Sequence, residues 1–130
     1  RLPIIHHPAY SGGFVSPGVS GVADYLQLGL LPRIFGADMP IFVSYGGRFT
    51  FTEKQCKRIS SYIKRSMGLM KAACPAPGGG VTDARLNELV ELYGNDTMFL
   101  VGGDMFRRGP DIEANMSYFV ERLTKLSERT

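Results

Sequence analysis

A histidine, an arginine and a set of glycine pairs are the residues of this chain whose types and spacing could do chemistry. His7 closes the apolar run 2–7 just where that run turns polar. Imidazole titrates near neutral pH, so a histidine there could be a general acid or base, or equally a core histidine bonded to a carbonyl. Arg48 lies in the loop YGGRF, where its planar fork could clamp a phosphate or carboxylate, or form a surface salt bridge. Gly78-Gly79-Gly80 and Gly102-Gly103 each end an apolar run. Glycine lets backbone N–H groups approach an anion closely and opens φ > 0 conformations, so two adjacent loops of this kind could be the two sides of one phosphate cradle. A flexible turn is the other reading of such glycines.

The elements that must position them can be read from residues 69–103. An apolar run ends in three glycines, an amphipathic stretch follows, and a second apolar run ends in two more glycines. That is a βαβ unit, which implies a parallel sheet with its ligand site at the C-terminal ends of the strands. In the helix, Leu86, Leu89, Val90 and Tyr93 recur at helical spacing, Asp83 is placed to cap the start, and Gly94 suits a left-handed end.

The same rhythm runs through the chain. Strands are expected near 2–7, 39–44, 69–74 and 97–101, at the spacing of β/α units, with His7, the YGGRF loop and the glycine loops all at their C-terminal ends. Between the first two strands, a loop with Tyr10, Phe14 and Val15 as apolar tethers leads to a helix from Val19 to Ile34. Gly29 and Pro32 should end or kink that helix near Leu30. Thr52 and Gln55 match a capping box, with Phe51 placed to staple onto Cys56, and Cys56, Ile59, Ile63 and Met67 form the buried stripe. Proline at 110 precedes a last helix with Ile112, Met116, Phe119, Val120, Leu123 and Leu126 on one face and a frayed tail. The fold class expected is therefore α/β, a parallel (β/α) barrel of which these are four units. Half a barrel exposes two apolar edges, so a further half is expected from an N-terminal region or a partner. The start at Arg1 rather than Met points the same way.

Bulk properties exclude several classes. The chain has 130 residues, room for one domain, with 44% hydrophobic and 21% charged residues and no apolar run near the length of a membrane span. A net charge of +3 is too small to argue for nucleic acid, and KRISSYIKR reads as a solvated helix face. Cys56 and Cys74 have neither CxxC spacing nor a nearby His cluster, which predicts reduced structural thiols in a cytoplasmic protein. The expected partners are a phosphorylated small molecule and no nucleic acid or membrane.

The segments HHPAYSG, GADMPIF with YGGRF, PAPGGGV with LVELYG, and FLVGGD, in this order, resemble the C-terminal half of the catalytic barrel of the ribulose-bisphosphate carboxylase (rubisco) large chain. They are closer to its rubisco-like relatives than to the carboxylases. The resemblance makes His7 the strand-five histidine, with Ala9 keeping its context. Pro8 stands where carboxylases carry a phosphate-holding Arg, Arg48 where they carry a Lys, and Ile41 where they carry a phosphate-contacting His. Gly78 replaces a Ser, Gly79 and Gly80 keep two glycines, Gly102 and Gly103 match, and Asp104 replaces a third glycine. One phosphate site thus looks retained and the other dismantled.

The resemblance implies a Mg²⁺ enzyme whose metal ligands lie on a strand outside this segment, with the N-terminal domain and first half-barrel elsewhere. The segment alone would be inactive, and the whole protein at least a homodimer. Asp104 and Asp111 are either groups supporting that site or solvated acids. The implied activity is enolisation of a phosphorylated ketose or sugar acid, of isomerase or decarboxylase/transcarboxylase type, and not CO2 fixation. The alternatives are the methionine-salvage diketo-methylthiopentyl-phosphate enolase and a non-catalytic half-barrel.

Overall fold

A computed structural model describes residues 2–15 and 21–128. Three short parallel strands, β1 (Ile5–His6), β2 (Met39–Val43) and β3 (Ala76–Gly78), form a sheet in that order. Ile5 is in register with Met39, and Ile41 with Ala76. A fourth segment continues the sheet beyond β3. Gly78 bridges Leu100 in parallel, and the N–H groups of Met98 and Leu100 donate to the carbonyls of Pro75 and Pro77 at 2.9 and 3.1 Å. Those two prolines have no N–H to return, so only half of the ladder can form. The expected strand over 97–101 is therefore reduced to a single bridge.

The strand expected over 69–74 is displaced. Met67 and Met70 pair across a tight turn at Gly68 (φ +56°), Leu69 projects fully into solvent, and the chain joins the sheet only at Ala76. Apolar character marked the neighbourhood, but the turn took up the residues that supplied it.

Among the described residues, six α-helices accompany the strands: α1 (Gly12–Val15), α2 (Leu31–Ile34), α3 (Glu53–Lys64), α4 (Leu86–Tyr93), α5 (Gly103–Arg107) and α6 (Ile112–Ser127). A π-helical stretch, Tyr25–Leu30, runs directly into α2, so the expected irregularity at Leu30 is a change of helical winding. Gly29 sits where a Cβ would lie 3.1 Å from Tyr62 Cβ and 3.2 Å from the Ile59 carbonyl, which lets this stretch pack close against α3. Pro17, Gly18 and the helix start expected at Val19 lie outside the described residues, as do the last two residues of the tail. Tyr10 and Phe14, expected as apolar tethers, are exposed.

The capping box of α3 is present: Thr52 accepts from the Gln55 N–H at 3.3 Å, and the Gln55 side chain accepts from the Thr52 N–H at 2.9 Å. At the other end of α3, the buried Arg33 guanidinium donates to the carbonyls of Tyr62, Arg65 (2.7 Å) and Lys71 (2.8 Å). This satisfies carbonyls that a helix end otherwise leaves open and places a cation at the negative end of its dipole.

Along β2, Pro40, Phe42 and Ser44 are buried against the helices, while Ile41 and Val43 line the opposite, open face. Phe42 meets Tyr93 edge-on with ring centroids 5.8 Å apart. Ile59, Ile63, Leu86, Leu89 and Cys56 complete the core around them. Truncating Phe42 to Ala would cost about 3–5 kcal/mol. The face expected on α6 is rotated. Asn115, Phe119 and Leu126 are buried, whereas Ile112, Met116 and Val120 stay exposed. Asn115 turns inward because its amide donates to the carbonyls of Met105 and Gly109 at 2.9 and 3.0 Å. Parallel strands in sequential order, with helices on one face and a cleft on the other, make this a partial (β/α) barrel.

Candidate functional site

The open face of the sheet is a cleft of about 1220 Å³ at the C-terminal ends of the strands. His7, Arg48, Gly79, Gly80, Gly102 and Gly103 all line it. Tertiary folding brings together residues from four loops, and alternation along β1 explains which histidine takes part. His6 pairs with Pro40, whose side faces the helices, so His7 points to the cleft side, where it is exposed. His6 is half-buried with Nδ1 lacking a hydrogen-bond partner, and burial first, then the nearby His7 charge, lower its pKa below the ordinary 6.5. The exposed Arg48 guanidinium lies 4.9 Å from the Phe49 ring centroid, and no carboxylate among the described residues pairs with it.

The glycines differ in what their missing side chains allow. Gly80 has φ +72°, and a Cβ there would lie 2.7 Å from the Gly47 nitrogen. It is glycine because the loops after β2 and β3 touch backbone to backbone. Gly79 also has positive φ, +75°, but a Cβ there would meet only Val43, at 4.0 Å. Gly102 and Gly103 have neither positive φ nor any atom within 4 Å of a Cβ position. At 103 nothing within the described chain requires glycine, whereas the Gly102 backbone (φ −113°, ψ −84°) lies outside the ordinary helical and extended regions; at both, the space is open to the cleft.

Asp83, expected to cap α4, does not. Its carboxylate accepts from the Tyr118 hydroxyl at 2.8 Å and from Arg122 at 3.2 Å, with Arg108 at 3.9 Å. Tyr118 first, and the two arginines with it, hold its pKa below the usual carboxylate value. Asp104 takes over at that helix start, accepting from the Asp83 N–H at 2.9 Å while pairing with Arg107 at 3.3 Å. Asp111 accepts from the Ala114 N–H at 3.0 Å as the cap of α6. Both acids are thus engaged by their own chain. Among the described residues no group of three or more His, Cys, Asp or Glu is placed to hold a metal ion.

Two arginines of the cleft region were not singled out from sequence. Arg107 lines the cleft beside Asp104, and Arg85 joins the loops after β2 and β3 from behind. Arginine one turn after a glycine loop was the available signal. The two thiols stay structural. Cys56 is buried, donates to the Val43 carbonyl at 3.3 Å, and burial pushes its pKa up to about 11; burial also raises that of Cys74.

This placement of loops matches known proteins. No protein-family model matches the chain. The ribulose bisphosphate carboxylase-like protein 1 of Rhodopseudomonas palustris is 34% identical over 118 residues, which is 91% of this chain and 30% of that protein. Over most of its length the chain thus matches the C-terminal half of rubisco-like proteins. It is 30% identical over 112 residues to the 5-methylthioribulose-1-phosphate isomerase of Rhodospirillum rubrum. It is 32% identical over 102 residues to the 2,3-diketo-5-methylthiopentyl-1-phosphate enolase of Exiguobacterium sibiricum. These matches cover 86% and 78% of this chain but 30% and 26% of those enzymes.

Among solved structures, the rubisco-like protein of Alicyclobacillus acidocaldarius superposes with a TM-score of 0.87 at 27% identity, covering 99% of this chain and 32% of that one. That of Rhodopseudomonas palustris gives 0.78 at 32% identity, covering 95% and 31%. The chain therefore spans about a third of the length of the relatives it matches, within their C-terminal half. Among the described residues no helix is long and apolar enough to cross a membrane.

Proposed function

We propose that this chain forms the C-terminal half of the catalytic barrel of a rubisco-like enzyme that enolises a phosphorylated ketose or sugar acid. The reaction would be of isomerase or decarboxylase/transcarboxylase type, in a cytoplasmic homodimer. The observation that carries the reading is the convergence of His7, Arg48 and the open glycines 79, 102 and 103 on one cleft. Backbone N–H groups of the glycine loops would hold the phosphate, needing no side chain. Arg48, exposed and paired with no carboxylate among the described residues, would add a fork to the phosphate or to a substrate carboxylate. His7 would carry a proton to or from the reacting carbons or a substrate hydroxyl.

Carbon fixation is disfavoured by the residues themselves, since Pro8, Ile41 and Arg48 replace the groups that the resemblance associates with it. Mg²⁺ belongs to the proposal as a cofactor, but neither Asp104, in the cleft, nor Asp111, outside its lining, suits it, since each is engaged at a helix start. Its ligands would lie in the N-terminal part that the longer relatives carry. The 32% identity to a diketo-methylthiopentyl-phosphate enolase favours that activity as the second reading.

The test is to incubate the purified protein with Mg²⁺ in D2O with a panel of phosphorylated ketoses, keto acids and the salvage diketone, and to follow deuterium uptake beside the carbonyl by NMR. Uptake confined to phosphorylated compounds is expected. Equal uptake by the dephosphorylated forms, or CO2-dependent cleavage of ribulose bisphosphate, would overturn the proposal.

A further inference from the structure

We infer that Arg85 is a positioning residue, which fastens the base of the Arg48-bearing loop to the loop after β3 and so sets how the cleft holds a phosphate. This rests on the phosphate reading above. Arg85 lies in the short 3-10 turn Asp83–Arg85 that leads into α4, behind the cleft, and its side chain is only 21% exposed. One guanidinium nitrogen, Nη1, donates to two carbonyls at once: Tyr45 at 2.7 Å, in the loop after β2, and Gly80 at 3.0 Å, in the loop after β3.

The other edge of the guanidinium faces Glu88, with Nε 3.3 Å from Oε2 and Nη2 3.0 Å from Oε1, a bidentate pair that fixes the plane of the fork. That plane lies over the Tyr45 ring, 4.5 Å from its centroid, and the Tyr45 hydroxyl returns to donate to Glu88. Backbone, ring and hydroxyl of Tyr45 are thus all held by one Arg–Glu pair on α4 and its lead-in turn.

The glycines are explained by the same arrangement. Gly46 has φ +75°, and a Cβ there would fall 2.5 Å from Arg85 Nη1, so glycine at 46 makes room for the guanidinium. Gly47 and Gly80 then touch directly. Between Tyr45 and Gly47 the loop is pinned; from Arg48 to Thr50 it is exposed. The geometry divides the loop into a fixed base and a free tip, and the tip carries Arg48. A lysine at 85 could keep the charge but could not span two carbonyls and a carboxylate in one plane.

The experiment uses the purified protein with Arg85→Lys and, should that variant fold poorly, Glu88→Gln, which removes the charge that orients the fork while leaving Arg85 in place. Two quantities are read: the rate of tryptic cleavage after Arg48, by mass spectrometry, and the dissociation constant for inorganic phosphate, by calorimetry. Losing charge-assisted bonds of about 1.5–3 kcal/mol each predicts cleavage faster, and phosphate binding weaker, by about 10-fold or more. A phosphate dissociation constant that rises while the melting temperature holds separates positioning from mere stability. Unchanged cleavage and unchanged affinity would overturn the inference, as would faster cleavage with unchanged affinity. If the wild type itself binds no phosphate, the phosphate reading falls with the affinity role. The cleavage rate then decides alone: faster in the variant supports the clamp on the loop, and unchanged refutes it.

Discussion

Two glycines of one cleft should respond to a side chain in opposite ways. At Gly103 a Cβ meets nothing within 4 Å and φ is not in the left-handed region, so Gly103→Val adds volume only toward the cleft. Gly103 is also the first residue of α5, where replacing glycine costs the unfolded chain some freedom. At a compatible site that exchange is neutral to stabilising by about 0.4–1 kcal/mol for alanine, so the fold should be untouched. At Gly80 the same exchange meets φ +72° and the Gly47 backbone at 2.7 Å. The left-handed conformation alone costs about 1–2 kcal/mol for a residue with a Cβ, and parting the two loops adds to it. If the cleft binds phosphate through backbone donors, shielding one such donor at residue 103 removes a charge-assisted hydrogen bond of about 1.5–3 kcal/mol, or about 10- to 150-fold in the dissociation constant. Calorimetric titration with phosphate and thermal unfolding of Gly103→Val and Gly80→Ala check this together. The expected pattern is lost affinity at full stability for the first, and lost stability for the second. Equal phosphate affinity in the wild type and Gly103→Val would refute the cradle.

Other predictions follow from single residues. His7→Asn keeps a donor of similar shape but removes the titratable nitrogen, so kcat should fall by about 10²–10⁴ with phosphate affinity unchanged; intact turnover with reduced stability would make His7 a structural residue instead. Since the folded state holds the His6 pKa below 6.5, protons bind the unfolded chain more readily as pH falls. The stability due to neutral His6 is present above pH 6.5 and is lost as pH drops through its lower folded pKa. Denaturant melts of wild type and His6→Gln across that window should converge at acid pH. Iodoacetamide at pH 8 should label the partly exposed Cys74 well before Cys56, whose thiol burial pushes to about 11; Cys56 labelling first in the native protein would contradict the packing described.

Local patterns settled a good part of this protein without any structure. The capping box at Thr52, the stripe Leu86-Leu89-Val90-Tyr93 and the glycine C-cap at 94 rest on neighbours three or four residues apart, and all stand as read. The parallel order of the strands was legible too, because the β-loop-α rhythm recurs along the chain. Distant partners decided the rest. Asp83 has the type and place of a cap, but Tyr118 and Arg122, both more than 30 residues away, take its carboxylate and leave the helix start to Asp104. The face of α6 turned because Asn115 found two carbonyls, a gain that hydrophobic periodicity does not weigh. Pro75 and Pro77 shortened a strand by withholding donors from a neighbour that only the sheet supplies. Glycine looks the same in sequence whether it makes room for a backbone, as at Gly80, or leaves a space open, as at Gly103. What would occupy the place of its side chain is a property of the tertiary structure alone.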